Sequence, residues 1–218
     1  HYKHSPSNKN SLSGKGVTAI CEDRDGIIWI GTELNGLNSF DMKSGNFTNY
    51  LNDPNNQYSL ASDGVSDIKE DRDGNLWIVT DGVGFCKFDK KSKRFIRYQN
   101  DPNDNNSLPI DQVSVLLVDK SGDLIVGTFG AGLLRLDRKK NTFIKINYNP
   151  EQPDDITAAG IYYLAEDPVG KLWIGTYSNG LFIYDRKSDK SKKYFNVPGN
   201  VESLSDNIVS SILIRKDG

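Results

Sequence analysis

The sequence repeats itself every 48 residues, and this period restricts the fold more than any other feature. The apolar triplet at 28–30 returns at 76–78, 124–126 and 172–174, which places Trp29 and Trp77 48 residues apart. A glycine precedes each triplet at a fixed distance: Gly26, Gly74, Gly122 and Gly170. A period of this length indicates a repeat architecture, in which each unit is one supersecondary structure that buries its apolar faces against its neighbours.

Each repeat contains four short apolar segments separated by turn residues, and none has the 3.6-residue period of an amphipathic helix. In repeat one we predict strands at 17–22, 27–32, 37–41 and 46–50. The second strand has three consecutive apolar residues, so both of its faces must be covered. The turn at 24–26 has the length of a three-residue hairpin loop with glycine in the left-handed conformation. Four antiparallel strands per unit, covered on both faces, are typical of a β-propeller blade.

The repeat therefore predicts an all-β chain, with residues 1–218 as a single β-propeller segment. Its units are a partial repeat at 1–16, four complete four-stranded blades, and part of a fifth blade at 209–218. The complete blades are expected at 17–64, 65–112, 113–160 and 161–208. We expect the inner strand of the fifth blade within 209–214. Ser191 stands where the other repeats have phenylalanine, which predicts a bulged or slipped outer strand in repeat four.

Charge and motif content exclude several functions for this segment. A net charge of −2 and a pI near 5.7 provide no basic stripe for nucleic acid. No uninterrupted apolar stretch is long enough for a membrane span, so we expect no direct membrane contact by this segment. The pattern Asp23-x-Asp25-Gly26 resembles half of a calcium loop, but it lacks the distal acidic ligand, and Ser121 and Val169 replace the second aspartate in later repeats. We interpret it as a turn and predict neither metal nor cofactor.

Residues that recur in every repeat are expected to be structural. Trp29, Trp77 and Trp173 lie on the strand that is covered on both faces, so we predict that they pack blade against blade. Two polar positions recur in all four repeats and are expected to form hydrogen bonds near strand ends. They are Thr32, Thr80, Thr128 and Thr176, and Asp41, Asp89, Asp137 and Asp185.

Function is instead expected where equivalent positions differ, because loops on one rim of a propeller diversify while the framework is kept. The loops between strands two and three occupy 33–35, 81–83, 129–131 and 177–179, and the connectors that share their face end at 14–16, 62–64, 110–112 and 158–160. Aromatic rings beside amides and carboxylates suit a sugar, whose CH face stacks on a ring. The candidate ligand-binding residues are Tyr177, Phe129, Asp81, Glu33, Asn35 and Asn179. The alternative is a solvated rim without a ligand.

The run Glu-Asp-x-x-Gly-x-Leu-Trp-Ile-Gly-Thr-x-x-x-Gly-Leu, nearly intact at 70–85 and 166–181, resembles the regulator propeller repeat of hybrid two-component sensors, chiefly of Bacteroides-type bacteria. Val79, Ile125 and Val169 depart from that pattern. The resemblance implies a periplasmic sensor segment of an inner-membrane protein that also carries a membrane helix and a histidine kinase. It further implies a glycan-derived oligosaccharide as ligand, and an arc of a seven-bladed ring.

The expected partners are therefore an oligosaccharide, and the remaining blades of the same propeller or a second copy of the chain. Enzyme activity is not expected, because propeller lyases use histidines and the chain has only His1 and His4, in the leading fragment. Propeller glycosidases need paired carboxylates at the central channel, and no unrepeated set stands out there. A non-catalytic protein-interaction propeller remains the alternative function.

Overall fold

Four antiparallel sheets of four strands each make up the computed structural model, which describes residues 1–146, 156 and 160–215. The first sheet contains β1 (Val17–Glu22), β2 (Ile27–Thr32), β3 (Leu37–Asp41) and β4 (Asn46–Tyr50). The second contains β5 (Val65–Glu70), β6 (Leu76–Thr80), β7 (Phe85–Asp89) and β8 (Arg94–Tyr98). The third contains β9 (Val113–Val118), β10 (Leu124–Thr128), β11 (Leu133–Asp137) and β12 (Thr142–Lys145). The fourth contains β13 (Ile161–Glu166), β14 (Leu172–Thr176), β15 (Leu181–Asp185) and β16 (Lys190–Tyr194).

The chain divides into two compact units. The first unit is 1–103 with 111–113, and it holds the first two sheets. The second unit is 104–110 with 114–218, and it holds the third and fourth sheets apart from the first residue of β9. In each unit the strands of a sheet follow chain order, and β5 packs against β1 and β2 just as β13 packs against β10. Within the described residues there is no helix with the length and hydropathy that a membrane span requires.

The predicted blade is confirmed. The four strands of repeat one have the bounds expected from the sequence, and every described element is a β-strand. All five residues of β6 and of β10 are buried, as a strand covered on both faces requires. The hairpin between β1 and β2 closes with Asp23 N donating to Ile27 O at 3.0 Å, and Gly26 has a φ of 78°.

The aspartate of this hairpin is committed to the turn and to the core. Asp23 Oδ1 accepts hydrogen bonds from the amides of Asp25 and Ile27, and Oδ2 accepts one from Trp29 Nε1 at 2.7 Å. Lys90, from the next sheet, donates to the same Oδ2 at 2.7 Å. The carboxylate is therefore saturated by protein donors, which is the arrangement that the turn interpretation requires.

The predicted burial of the tryptophans is confirmed for Trp29 and Trp77, which are 4% and 1% exposed. The predicted packing of blade against blade is confirmed for Trp29, whose ring lies 5.4 Å from that of Phe88 in the second sheet. The prediction is wrong for Trp173, which is only half-buried. Its ring lines an open groove of about 520 Å³ together with Tyr194 and other residues of the fourth sheet. Among the described residues, no ring contacts Trp173 as Phe88 of the second sheet contacts Trp29.

The inner strand of a fifth blade stays a prediction: residues 209–214 are not assigned as a strand in the described part of the chain, and Val209 N donates to Thr176 O of β14 at 2.9 Å. One further prediction is wrong. The outer strand of repeat four is not slipped: Tyr184 pairs with Ser191 as Phe88 pairs with Phe95. The β15–β16 turn fixes this register with Asp189 in the left-handed conformation, at a φ of 52°.

Candidate ligand-binding site

The loops between the second and third strands of each sheet are held by the recurring threonines. Each threonine is fully buried, and its hydroxyl donates to a glycine carbonyl at the end of its loop, which confirms the structural role expected of it. The O–O distances are 2.7 Å for Thr32 to Gly36, 3.2 Å for Thr80 to Gly84, 2.9 Å for Thr128 to Gly132 and 2.7 Å for Thr176 to Gly180. The recurring aspartates cap the following turn, as Asp41 does by accepting from the amide of Lys43.

The first residue of each loop, directly after the threonine, is a candidate site residue: Glu33, Asp81, Phe129 or Tyr177. In three of the four repeats its amide donates to a connector glycine, with Glu33 bonded to Gly16, Asp81 to Gly64 and Tyr177 to Gly160 at 2.9–3.0 Å. The candidate side chain lies directly against this glycine: a Cβ on Gly64 would lie 2.8 Å from Asp81 Oδ2, so a larger residue there would displace the Asp81 carboxylate. The connectors therefore form the floor on which the candidate side chains lie.

The first unit presents the polar part of the predicted site. Glu33 and Asn35 lie against Gly16 and Gly14, and Asp81 lies against Gly64 in the second sheet. All three side chains are exposed. In the described part of the chain, no hydrogen bond or ion pair joins these three side chains to one another. Asn35 also lines a polar cavity beside the leading segment 4–13.

The second unit brings two of the predicted aromatic residues together with a third that the sequence reasoning missed. The ring centroids of Phe129 and Tyr177 lie 6.2 Å apart, nearly perpendicular at 81°. The ring of Tyr162, a residue of β13, is parallel to that of Tyr177, at 5° with centroids 6.2 Å apart, and it meets the ring of Phe129 edge-on at 6.4 Å. All three side chains are exposed: Phe129 by 42%, Tyr177 by 55% and Tyr162 by 41%. We call these three residues the aromatic cluster.

A β-bulge explains why Tyr162 joins this cluster. The register of β13 against β14 shifts between Ile161 and Tyr163, so Tyr162 is the extra residue of a bulge, and a bulge re-aims a side chain. The same bulge recurs at Thr18 and at Ser66. Thr18 uses its hydroxyl to bond the carbonyl of Val65 in the next sheet. Tyr162 replaces this small hydroxyl residue with a large ring, and comparison of the equivalent positions would have revealed the change.

Gly160 holds the aromatic cluster together. It forms an antiparallel bridge with Phe129 and accepts the Tyr177 amide at 2.9 Å. A Cβ at this position would lie 2.7 Å from the Phe129 ring. The rest of its connector, 158–159, lies outside the described residues. Glycine is therefore required for the two rings to approach one connector from both sides.

The last candidate, Asn179, follows Tyr177 in the same loop but is not part of the aromatic cluster. Its amide donates to Thr176 Oγ1 at 2.9 Å, and its side-chain oxygen accepts from Ser178 at 3.2 Å. Ser178 is exposed. The loop thus offers an amide and a hydroxyl next to an exposed tyrosine ring, and its three residues include no carboxylate, histidine or basic side chain.

Three segments of the chain match the family model described as two component regulator propeller: residues 11–33, 59–82 and 155–178. These three segments are similar to the regulator propeller repeat. Each matched segment ends within the loop that carries a candidate residue, and the segments include Glu33, Asp81 and Tyr177. The match thus covers the connector, the inner two strands and the start of the rim loop.

Solved structures show that the repeats form a β-propeller fold. The extracellular domains of two candidate hybrid two component systems of B. thetaiotaomicron align with TM-scores of 0.73 and 0.75, at 22% and 19% identity. The alignments cover 95% and 98% of this chain. The chain spans only 27% and 26% of the length of these two relatives. Virginiamycin B lyase from Staphylococcus aureus aligns at 0.61, with 16% identity over 86% of this chain and 58% of the lyase. No curated protein sequence matches this chain.

Proposed function

We propose that this chain is a sensor segment of a hybrid two-component histidine kinase, located in the periplasm, that detects a neutral oligosaccharide. The observation that carries the proposal is the aromatic cluster of Phe129, Tyr162 and Tyr177, exposed on a rigid rim. The regulator propeller repeats and the extracellular domains to which the chain is similar support the sensor role and the location.

The geometry of the aromatic cluster suits the apolar face of a pyranose ring. Exposed aromatic rings are expensive to keep in water, and a sugar that stacks on them removes apolar area from solvent on both partners. Ser178 and Asn179, beside Tyr177, can exchange hydrogen bonds with sugar hydroxyls. The rings are held by a backbone bridge and a bulge, so little conformational entropy is lost when a ligand binds.

The same site offers little for catalysis. The chain has two histidines, and the Nδ1 of His4 is used in a hydrogen bond to the carbonyl of Leu12 at 2.7 Å. No carboxylate or histidine belongs to the aromatic cluster or to the loop that follows Tyr177. We therefore propose recognition without turnover, unlike the lyase to which the fold is similar.

A further blade, from the same propeller or from a second copy of the chain, is our proposal for the groove beside Trp173. In the first sheet the equivalent Trp29 is covered by Phe88 of the following sheet, with ring centroids 5.4 Å apart. Trp173, Leu181 and Tyr194 offer the same kind of apolar surface, and in the described part of the chain this surface lines an open groove. A following blade with an aromatic residue at the Phe88 position would complete it.

Isothermal titration calorimetry against a panel of neutral oligosaccharides tests the proposed ligand. We expect saturable binding without sugar turnover, and a loss of roughly 5–30-fold in affinity for Tyr177→Ala and for Tyr162→Ala, which corresponds to about 1–2 kcal/mol per stacking ring. Tyr58→Ala is the matched control, because Tyr58 is 42% exposed and lies in the first unit, where it stacks with Arg94. Unchanged affinity in both cluster variants would exclude this rim. Binding of a co-purifying protein instead of a sugar would favour the interaction propeller.

A further inference from the structure

The loop that precedes each first strand has the same internal hydrogen bonds in three repeats. A side chain at its start donates to the carbonyl of a leucine eight residues later, with distances of 2.7 Å for His4 to Leu12, 2.7 Å for Asn52 to Leu60 and 2.6 Å for Asn196 to Leu204. The serine before each leucine, Ser11, Ser59 or Ser203, has its hydroxyl bonded back to the start of the loop. The loop conformation is therefore set by its own residues.

In the second sheet, this loop encloses a guanidinium group. Arg97, on β8, donates from Nε to Ser59 O at 3.2 Å. Its Nη2 donates to Asn56 O at 3.2 Å, to Ser59 Oγ at 2.9 Å and to Leu60 O at 3.1 Å. Three carbonyl oxygens and one hydroxyl thus hold the guanidinium without a carboxylate. Acceptors fixed in this way match the planar fork of donors that arginine presents.

In the first sheet, the equivalent space is an open cavity of about 220 Å³. Asn49 stands where the second sheet has Arg97, and its side chain is too short to reach the loop. The cavity is lined by the equivalents of the three residues that bind Arg97, which are Asn8, Ser11 and Leu12. Ser13 also lines it, and the Ser13 Oγ is buried without a hydrogen-bond partner. The acceptors are therefore in place while their donor is missing.

We propose that this cavity beside residues 4–13 binds a guanidinium group, presented either by a free solute or by an arginine side chain of a polypeptide. The N–H groups of this guanidinium donate to the carbonyls of Asn8, Ser11 and Leu12 and to the Ser11 hydroxyl. Arg97 donates to the equivalent atoms of its own loop. Leu51 lines the cavity and contacts the methylene stem. This site is separate from the aromatic cluster, which belongs to the second unit.

Charge sets the expected affinity of this site. No carboxylate lines the cavity, and Lys9, which does line it, opposes a cation. Recognition must therefore rest on hydrogen bonds to neutral oxygens, and each of these contributes little net affinity in water. A dissociation constant of roughly 1–10 mM is expected for the isolated group. Selectivity is expected to be for guanidinium over ammonium, because a Lys head group presents its donors without the planar fork.

NMR chemical-shift titration of the chain tests this proposal with N-acetylarginine amide as the probe and N-acetyllysine amide as the control solute. We expect saturable shifts confined to residues 4–13 and 49–51 with the arginine probe, and at least several-fold weaker binding of the lysine probe. Asn49→Arg should abolish binding, because the new side chain fills the cavity as Arg97 does, and it should also raise the melting temperature. Conversely, Arg97→Asn should create a second site at 52–60.

Several outcomes would overturn the proposal. They are the absence of saturable shifts in the unmodified chain, equal binding of the two probes, and full binding retained by a folded Asn49→Arg variant. Should that variant fail to fold, Asn49→Lys replaces it, because Lys193 occupies the equivalent position of the fourth sheet beside an intact loop. A Gly-Arg-Gly peptide distinguishes the sources: tighter binding than the free probe assigns the site to a polypeptide partner, and weaker binding assigns it to a solute.

Discussion

Truncation of Trp77 tests the physical account of the blades most directly. Trp77 is 1% exposed, and its rings lie 5.9 Å from Phe85 and 5.7 Å from Tyr98. Its Nε1 donates to Asp71 Oδ2 at 2.8 Å. Trp77→Ala removes a large buried side chain and leaves a cavity, which costs about 3–5 kcal/mol. It also deprives a buried carboxylate of one donor, which places the expected loss in the upper half of that range.

Two variants separate the contributions. Trp77→Phe keeps most of the apolar volume but removes the hydrogen bond to Asp71, and a bond to a charged acceptor contributes about 1.5–3 kcal/mol. Trp173→Ala is the matched control, because Trp173 occupies the same repeat position and bonds Asp167 at 3.1 Å, but it is half-buried and lines an open groove. We expect its loss to be less than half of that for Trp77→Ala.

Urea unfolding followed by far-ultraviolet circular dichroism measures these losses without relying on tryptophan fluorescence. The free energy of unfolding comes from the midpoint and the m value, and an unchanged m value shows that the variants unfold from the same folded state. Equal losses for Trp77→Ala and Trp173→Ala would refute the reasoning, because burial would then not determine the contribution of this position.

Three further variants test other parts of the structure. Lys90→Met should cost about 1–3 kcal/mol at pH 7. Burial raises the pKa of Asp23, but hydrogen bonds, first from Lys90, outweigh it and hold that pKa below its ordinary value. The stabilisation is therefore complete above about pH 4 and declines as the pH falls through the lowered pKa. Urea unfolding at pH 3 should show a smaller cost, and an equal cost would contradict this. Gly84→Ala should cost more than about 3 kcal/mol, because the new Cβ would lie 2.1 Å from the carbonyl oxygen of Tyr98. Gly82→Ala should cost only about 1–2 kcal/mol, because Gly82 has a φ of +72° but open space around it. Similar melting temperatures for the two variants would disprove the steric overlap. Gly160→Ala should displace a ring of the aromatic cluster and weaken sugar binding, and calorimetry with unchanged affinity would count against that cluster.

The fold was predictable from the sequence because the residues that each turn and strand requires recur at equivalent positions of the four repeats. The left-handed glycine of the β1–β2 hairpin recurs four times, and so does the buried threonine that closes the rim loop. A single unusual residue carries less information than this consensus. Ser191 suggested a slipped outer strand, but the turn with Asp189 at positive φ sets the register, and the loss of one phenylalanine does not override it.

The candidate site was only partly predictable, for reasons of geometry. Phe129 and Tyr177 were found because they stand at equivalent loop positions, and the structure brings them together. Tyr162 was missed because it is the extra residue of a bulge, where the alternation of a strand no longer tells which way a side chain points. Trp173 is half-buried because it lines an open groove of the fourth sheet, and the repeat pattern, which is the same at Trp29 and Trp77, gives no sign of this difference.

Both proposed sites arise where one repeat departs from a structural solution that another repeat retains. Thr18 and Ser114 tie their sheet to the next through a hydroxyl, whereas Tyr162 gives up that bond and places a ring on the rim. Arg97 fills its own loop, whereas Asn49 leaves the same acceptors open. In each case the retained copy shows what the framework needs, so the altered copy can be interpreted without reference to any other protein. Because the framework loses stabilising contacts at both positions, the stability of the fold does not account for either change, and this is the reason for proposing a ligand at each of them.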